Sequence, residues 1–150
     1  MTIELKRTNS EHEDFRNLVM NLEEYLTHAD EEAHSKCKPY NKIETIKHVV
    51  VAYDDNKAVG CGAIRPYSQN TVEIKRMFVA ESARGKGIGS KVLAELELWA
   101  QELGFVHSIL ETGKMMPDAI HLYSRNNYKQ IPNYGQYEGM EKSICFEKKL

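Results

Sequence analysis

The sequence predicts one α/β (α+β) domain built on a mixed sheet, and three of its features carry that reading. Short apolar runs separated by turn residues fill the stretch between Val49 and Val79, the pattern of an antiparallel meander. Three alternating glycines then open a helical periodicity that lies between two strand-like segments. Finally, 150 residues without a repeat, low-complexity tract or linker suffice for one core and are too few for two.

Taken in order, Leu5 and its neighbours read as a first strand. Ser10 and Glu13 have capping-box spacing, and Phe15, Leu18, Val19, Leu22, Tyr25 and Leu26 follow at helical spacing. From Thr27 to Lys47 the periodicity fades, and a short helix and a loop through Pro39 are expected. Val49 to Tyr53 is a buried strand, Asp54 to Lys57 a turn, and Ala58 to Ile64 the partner strand. A second turn, Pro66 to Asn70, leads into the strand Val72 to Val79. Beyond the glycines, Ile88, Val92, Leu96, Trp99 and Leu103 mark one apolar helix face, which Gly104 stops. Val106 to Leu110 is the next strand, parallel to the one before the glycines if the crossover is right-handed. Pro117 suits the first turn of a short helix through Tyr123. Tyr128 to Ile131 and Ser143 to Phe146 close the domain as strands.

Bulk properties narrow the function classes. A net charge of -2 argues against a nucleic-acid partner, whose phosphates favour a basic face. Glu11 to Asp14 and Asp30 to Glu32 are short acidic clusters, read as solvated helix faces or as steering for a cationic substrate. Cys37, Cys61 and Cys145 form no CxxC pair, which points to reduced thiols and a cytoplasmic protein, with Cys61 and Cys145 as packing residues. The six histidines show no ligand spacing, so no metal is expected. Neither a signal peptide nor a long apolar run is present, so no membrane partner is expected.

The chemistry concentrates in Arg84-Gly85-Lys86-Gly87-Ile88-Gly89. A helix start presents free N–H groups and the positive end of the dipole, so a glycine turn there makes an anion cradle, with Arg84 and Lys86 adding charge. A Walker loop needs Gly-Lys-Ser/Thr after Gly and four residues, and no such run exists. A dinucleotide fingerprint needs glycine where Ser90 stands and a turn directly off the strand, but Ala80 to Ala83 intervene.

The run matches Arg/Gln-x-x-Gly-x-Gly/Ala, and in this it resembles the pyrophosphate-binding signature of the GNAT superfamily of acyl-CoA-dependent N-acyltransferases. Glu73-Ile74-Lys75-Arg76-Met77-Phe78-Val79 resembles that family's fourth strand. Pro117-Asp118-Ala119-Ile120-His121-Leu122-Tyr123-Ser124-Arg125-Asn126-Asn127-Tyr128 resembles its later helix and turn. The resemblance runs from about Val49 to Ile131 and more loosely over the whole chain. It departs at Asn127, where glycine is usual; Asn is the next best residue for a left-handed cap.

The resemblance implies a mixed, mostly antiparallel sheet of six to seven strands, helices on both faces, and a splay between strands four and five. It implies acetyl-CoA as cosubstrate, its pantetheine arm on Met77, Phe78 and Val79 and its pyrophosphate on Arg84, Gly85, Lys86, Gly87, Ile88, Gly89 and Ser90. An amide at Met77 or Phe78 would hold the oxyanion, and an amine would attack the thioester directly in a ternary complex. Tyr123 stands where the family has its general acid and also meets the cofactor; its alternative is an aromatic packed beside the sulfur. Glu73 is the candidate base; its alternative is a structural glutamate. The acceptor site would draw on Tyr25, Asp30 to Glu32, Tyr40, the loop Asn133 to Gly139 and Glu111, or these are ordinary surface residues. A small-molecule amine fits better than a protein lysine or N-terminus, with a non-catalytic acyl-CoA-binding or regulatory domain and a nucleotide-binding module as other classes. Homodimerisation is common in such proteins and is unspecified here.

Overall fold

The computed structural model describes residues 2–29 and 45–150. The expected short helix and loop before Lys47, the cluster Asp30 to Glu32, Cys37 and Tyr40 lie largely or wholly outside them. Seven strands form one sheet: β1 (Ile3–Thr8), β2 (His48–Asp54), β3 (Lys57–Pro66), β4 (Thr71–Val79), β5 (His107–Gly113), β6 (Lys129–Ile131) and β7 (Ser143–Lys149). Their order is β1-β2-β3-β4-β5-β7-β6, and only β4 and β5 run parallel. Three helices are described: α1 (Glu13–Ala29), α2 (Ile88–Glu102) and α3 (Pro117–Arg125). The meander, the parallel crossover and the expected sheet are thus all present.

The helices divide the core in two. One cluster joins Val92, Leu93 and Leu96 of α2 and Tyr123 of α3 to Val72 and Ile74 of β4. The other packs Phe15, Leu18, Val19 and Leu22 of α1 on Val49, Val51, Cys61 and Phe78. β4 therefore sends alternate side chains to opposite layers, as the two-residue strand period requires.

Local chemistry explains the boundaries. The β2–β3 hairpin turns on Asp55 and Asn56 alone, at φ 48° and 68°, so the flanking Asp54 and Lys57 stay in the strands. Ser10 is not the cap of α1. It is buried, and its Oγ accepts from the N–H of Ile46 at 2.8 Å, fastening the approach to β2. His12 takes over the capping: its Nδ1 accepts from the Asp14 N–H at 3.2 Å. Leu103 leaves the apolar face of α2, because the helix ends at Glu102 and Gly104 turns the chain at φ 95°. Val106 likewise precedes β5 instead of opening it, and both residues are exposed.

β4 carries one irregularity that the sequence did not announce. Cys61 faces Phe78 and Ala63 faces Lys75, so Gly62 of β3 alone opposes two residues of β4, Arg76 and Met77. Arg76 absorbs the extra residue at φ 58°, a conformation that residues other than glycine, asparagine and aspartate seldom adopt. Its guanidinium is held by Glu23 of α1, and its carbonyl accepts from the Cys61 thiol at 3.3 Å.

Candidate active site

Beyond its first residues the parallel pair comes apart. β4 and β5 are in register over Thr71 to Glu73 and His107 to Ile109, and neither strand's remainder pairs with the other. The N–H of Ala80 bonds to the Val59 carbonyl of β3 at 2.8 Å. A trans peptide sets the C=O and the following N–H in opposite directions, so the Val79 carbonyl points into the gap. A buried carbonyl there needs a donor, and Arg84 supplies its Nε at 3.0 Å. The guanidinium lies over the rings of Tyr25 and Phe78, at 4.7 and 5.7 Å.

The gap opens into a cleft of about 780 Å³. Met77, Phe78 and Val79 form one wall, Arg84, Gly85, Gly87, Ile88, Gly89 and Ser90 another, and Tyr123 lies among the lining residues from α3. Ten of the twelve residues named from the sequence therefore converge. Lys86 and Glu73 are not among the lining residues. Tyr25, assigned from the sequence to the acceptor side, lines this cleft instead. His121 and Arg125 line it too, and sequence reading passed over them; their i, i+4 spacing on α3 was the available signal.

Gly87 is the N-cap of α2, at φ 77°, and has no side-chain capping bond. The first helical bond runs from the Lys91 N–H to the Gly87 carbonyl, so the N–H groups of Ile88, Gly89 and Ser90 precede the helical ladder. Added Cβ atoms at Gly85 and Gly87 would meet nothing within 4 Å, so their requirement is the left-handed backbone, at φ 78° and 77°. At Gly89 the nearest atom, on Leu122, is at an ordinary 3.4 Å. Gly87→Ala is therefore expected to lose about 1–2 kcal/mol of stability and Gly89→Ala less than half of that, measured by urea denaturation. Ser90 is placed by Asn126, whose Nδ2 donates to its Oγ at 3.0 Å and to the Leu122 carbonyl at 2.8 Å. Asn127, at φ 73°, supplies the left-handed turn after α3 that glycine usually makes.

Tyr123 is 6 % exposed, packed against Tyr128 and Phe146 at ring distances of 5.8 and 6.2 Å. Burial, and secondarily the charge of Glu111, hold its phenol well above the ordinary tyrosine range, so it keeps its proton.

A polar group stands on the other face of the sheet. Glu73 is 1 % exposed; its Oε1 accepts from Arg65 Nε at 2.9 Å and its Oε2 from the Tyr134 hydroxyl at 2.5 Å. Lys75 donates to the Tyr137 hydroxyl at 3.1 Å, and burial lowers its pKa. Tyr137 is wholly buried, and Asn133 ties its loop down through the carbonyls of Tyr137, Met140 and Ser143. Tyr137 is thus the packed residue of this loop, while Gly135, Glu138 and Gly139 are exposed. Glu111 accepts from Ser143 Oγ at 2.7 Å, and burial raises its pKa. Cys61 and Cys145 are buried free thiols, pushed up by burial to about 12 and about 11. Among the described residues, no helix is long and apolar enough to cross a membrane.

The architecture has recognisable relatives. The model of the acetyltransferase (GNAT) family matches residues 12–128. An IAA acetyltransferase of Azospirillum brasilense is 35% identical over 102 residues, 67% of this chain and 67% of its own. An acetyltransferase of Agrobacterium fabrum is 28% identical over 103 residues, 69% of this chain and 73% of its own. The crystal structure of a candidate acyl-CoA N-acyltransferase from Klebsiella pneumoniae is 28% identical, with a TM-score of 0.81 over 99% of this chain and 98% of its own. An N-acetyltransferase of Thermoplasma acidophilum, PaiA, solved in complex with coenzyme A, shares the fold at TM-score 0.73 and 17% identity over 100% of both chains.

Proposed function

Because the chain belongs to the acetyltransferase (GNAT) family and is an acyltransferase, we propose that it moves the acetyl group of acetyl-CoA to a primary amine of a small molecule in a ternary complex. The observation that carries this is the end of β4, unpaired on its β5 side, lying beside the uncapped start of α2, with Tyr123 in the same cleft. Each part supplies what one portion of the donor needs. The N–H groups of Ile88, Gly89 and Ser90, with Arg84, Lys86 and Arg125 nearby, suit the pyrophosphate. Met77, Phe78 and Val79 offer main-chain partners to the pantetheine arm, whose amide replaces Arg84 at the Val79 carbonyl. The bulge at Arg76 turns the following amides, and one at Met77 or Phe78 receives the thioester oxygen.

Acetyl-CoA supplies an activated acyl carbon, so the protein needs no nucleophile of its own. An alkylammonium, with a pKa near that of lysine at roughly 10, must lose a proton before it attacks. Tyr123 holds a proton beside the cleft for the leaving thiolate, donating first as a hydrogen bond. Tyr134 and Glu111 give the acceptor a mixed aromatic and anionic surface, which suits a small cationic amine.

An assay of thiol release from acetyl-CoA with tyramine, spermidine and L-lysine tests this reading. Release that depends on at least one amine is the expected result. A rise in melting temperature with acetyl-CoA, but no release with any amine, would point to a non-catalytic acyl-CoA-binding domain. Stabilisation by NAD or ATP in place of acetyl-CoA would overturn the donor assignment.

A further inference from the structure

Two carboxylates stand on the acceptor face at the splay, and their surroundings differ. Ile109 is the register partner of Glu73, and Glu111 lies two residues further along β5, on the same face and past the last paired residue. Glu73 is sealed, with both oxygens engaged. Glu111 is half-buried; Ser143 engages Oε2, and among the described residues Oε1 has no hydrogen-bond partner. The charge of Glu111, secondarily to burial, raises the Tyr123 pKa, although Tyr123 packs into the opposite layer of the sheet.

We propose that Glu111, with its free oxygen at the splay, takes the proton of the acceptor ammonium, and that Ser143 positions it. This rests on the transfer reaction proposed above. The ammonium gives one proton to Glu111 Oε1. The nitrogen lone pair then forms the C–N bond to the acyl carbon and the C–S bond breaks, its electron pair leaving on sulfur. Tyr123 gives its proton to sulfur and is restored by the second proton from nitrogen. The proton on Glu111 leaves to solvent, so one amide, one thiol and one proton are formed. Burial makes Glu111 a better base than an exposed carboxylate, by raising its pKa towards the working range. The polar, charged and titratable groups around it are Lys75 and Glu73 from β4, Ser143 and Cys145 from β7 and, from the opposite layer, Tyr123 of α3. Of these, Ser143 and Lys75 steady the ionised form and Glu73 opposes it.

The test is the pH dependence of kcat at saturating acetyl-CoA and acceptor, taken from tyramine, spermidine and L-lysine, for the wild type and three variants. Reading kcat keeps ionisation of the free amine out of the profile. Glu111→Gln is expected to lose the acidic limb and to slow turnover by about 10²–10⁴-fold. Ser143→Ala removes a donor that favours the ionised carboxylate, so its acidic limb moves to higher pH. Glu73→Gln keeps the limb but moves it to lower pH, because a charge that opposes ionisation of Glu111 is gone. The stabilisation that acetyl-CoA gives each variant reports that it is folded and binds the donor. An acidic limb that survives in Glu111→Gln, or that vanishes in Glu73→Gln instead, overturns the assignment. If the wild type itself releases no thiol with any of the amines, the transfer reading fails first and takes this proposal with it.

Discussion

Replacing Tyr123 by phenylalanine is expected to lower turnover by about 10²–10⁴-fold while leaving donor binding intact. The ring fills a packed site against Tyr128 and Phe146, and phenylalanine preserves that packing. The hydroxyl has no hydrogen-bond partner among the described residues, so its removal leaves no buried group unsatisfied, and stability should change by less than about 1 kcal/mol. The stabilisation given by acetyl-CoA should match that of the wild type. The pH dependence follows from the direction of the shift. A phenol whose pKa is raised keeps its proton below that value and loses it only as pH climbs through it. A basic limb caused by Tyr123 should therefore lie above the ordinary tyrosine range near 10. Turnover unchanged in Tyr123→Phe would leave the residue as packing beside the sulfur.

Glu73→Ala should be the most destabilising change at the site. It removes the shared acceptor of Arg65 and Tyr134 from a position 1 % exposed. Removing one partner of a buried pair costs about 3–5 kcal/mol. The Arg65 side chain is 30 % exposed and can turn to water, which places the cost near the lower end, at about 3 kcal/mol. For a domain of this size that corresponds to a fall in melting temperature of about 6–12 °C. Glu73→Gln keeps the shape and one acceptor oxygen, so it should lose roughly half as much. A loss within about 0.5 kcal/mol for Glu73→Ala, measured by urea denaturation, would show that the pairing contributes nothing beyond a surface contact.

Much of the site was legible because it depends on short-range chemistry. A glycine at φ 77° before Ile88, an asparagine at φ 73° after Asn126 and a two-residue hairpin at Asp55 and Asn56 are each local necessities, and each leaves a residue type behind. The apolar stripe of α2 and the strand runs were readable for the same reason. Errors came where a residue found a better partner far along the chain. Ser10 and Glu13 had capping spacing, yet Ile46 claimed the serine hydroxyl, and nothing near Ser10 signals that bond.

Glu73 and Glu111 separate the two kinds of information most clearly. The sequence by itself determined that a carboxylate stands on β4 a short way ahead of a glycine-rich turn that opens α2, and that a tyrosine follows on α3. It determined the order of strands and helices, because periodicity and turn chemistry are properties of neighbouring residues. Only the tertiary structure decided which carboxylate is sealed and which keeps a free oxygen. Arg65, Tyr134 and Ser143 come from three different segments and meet the two glutamates only when β3, β4, β5 and β7 lie side by side. Burial and hydrogen bonding set what an ionisable group can do, and both are sums over atoms close in space, whatever their distance along the chain.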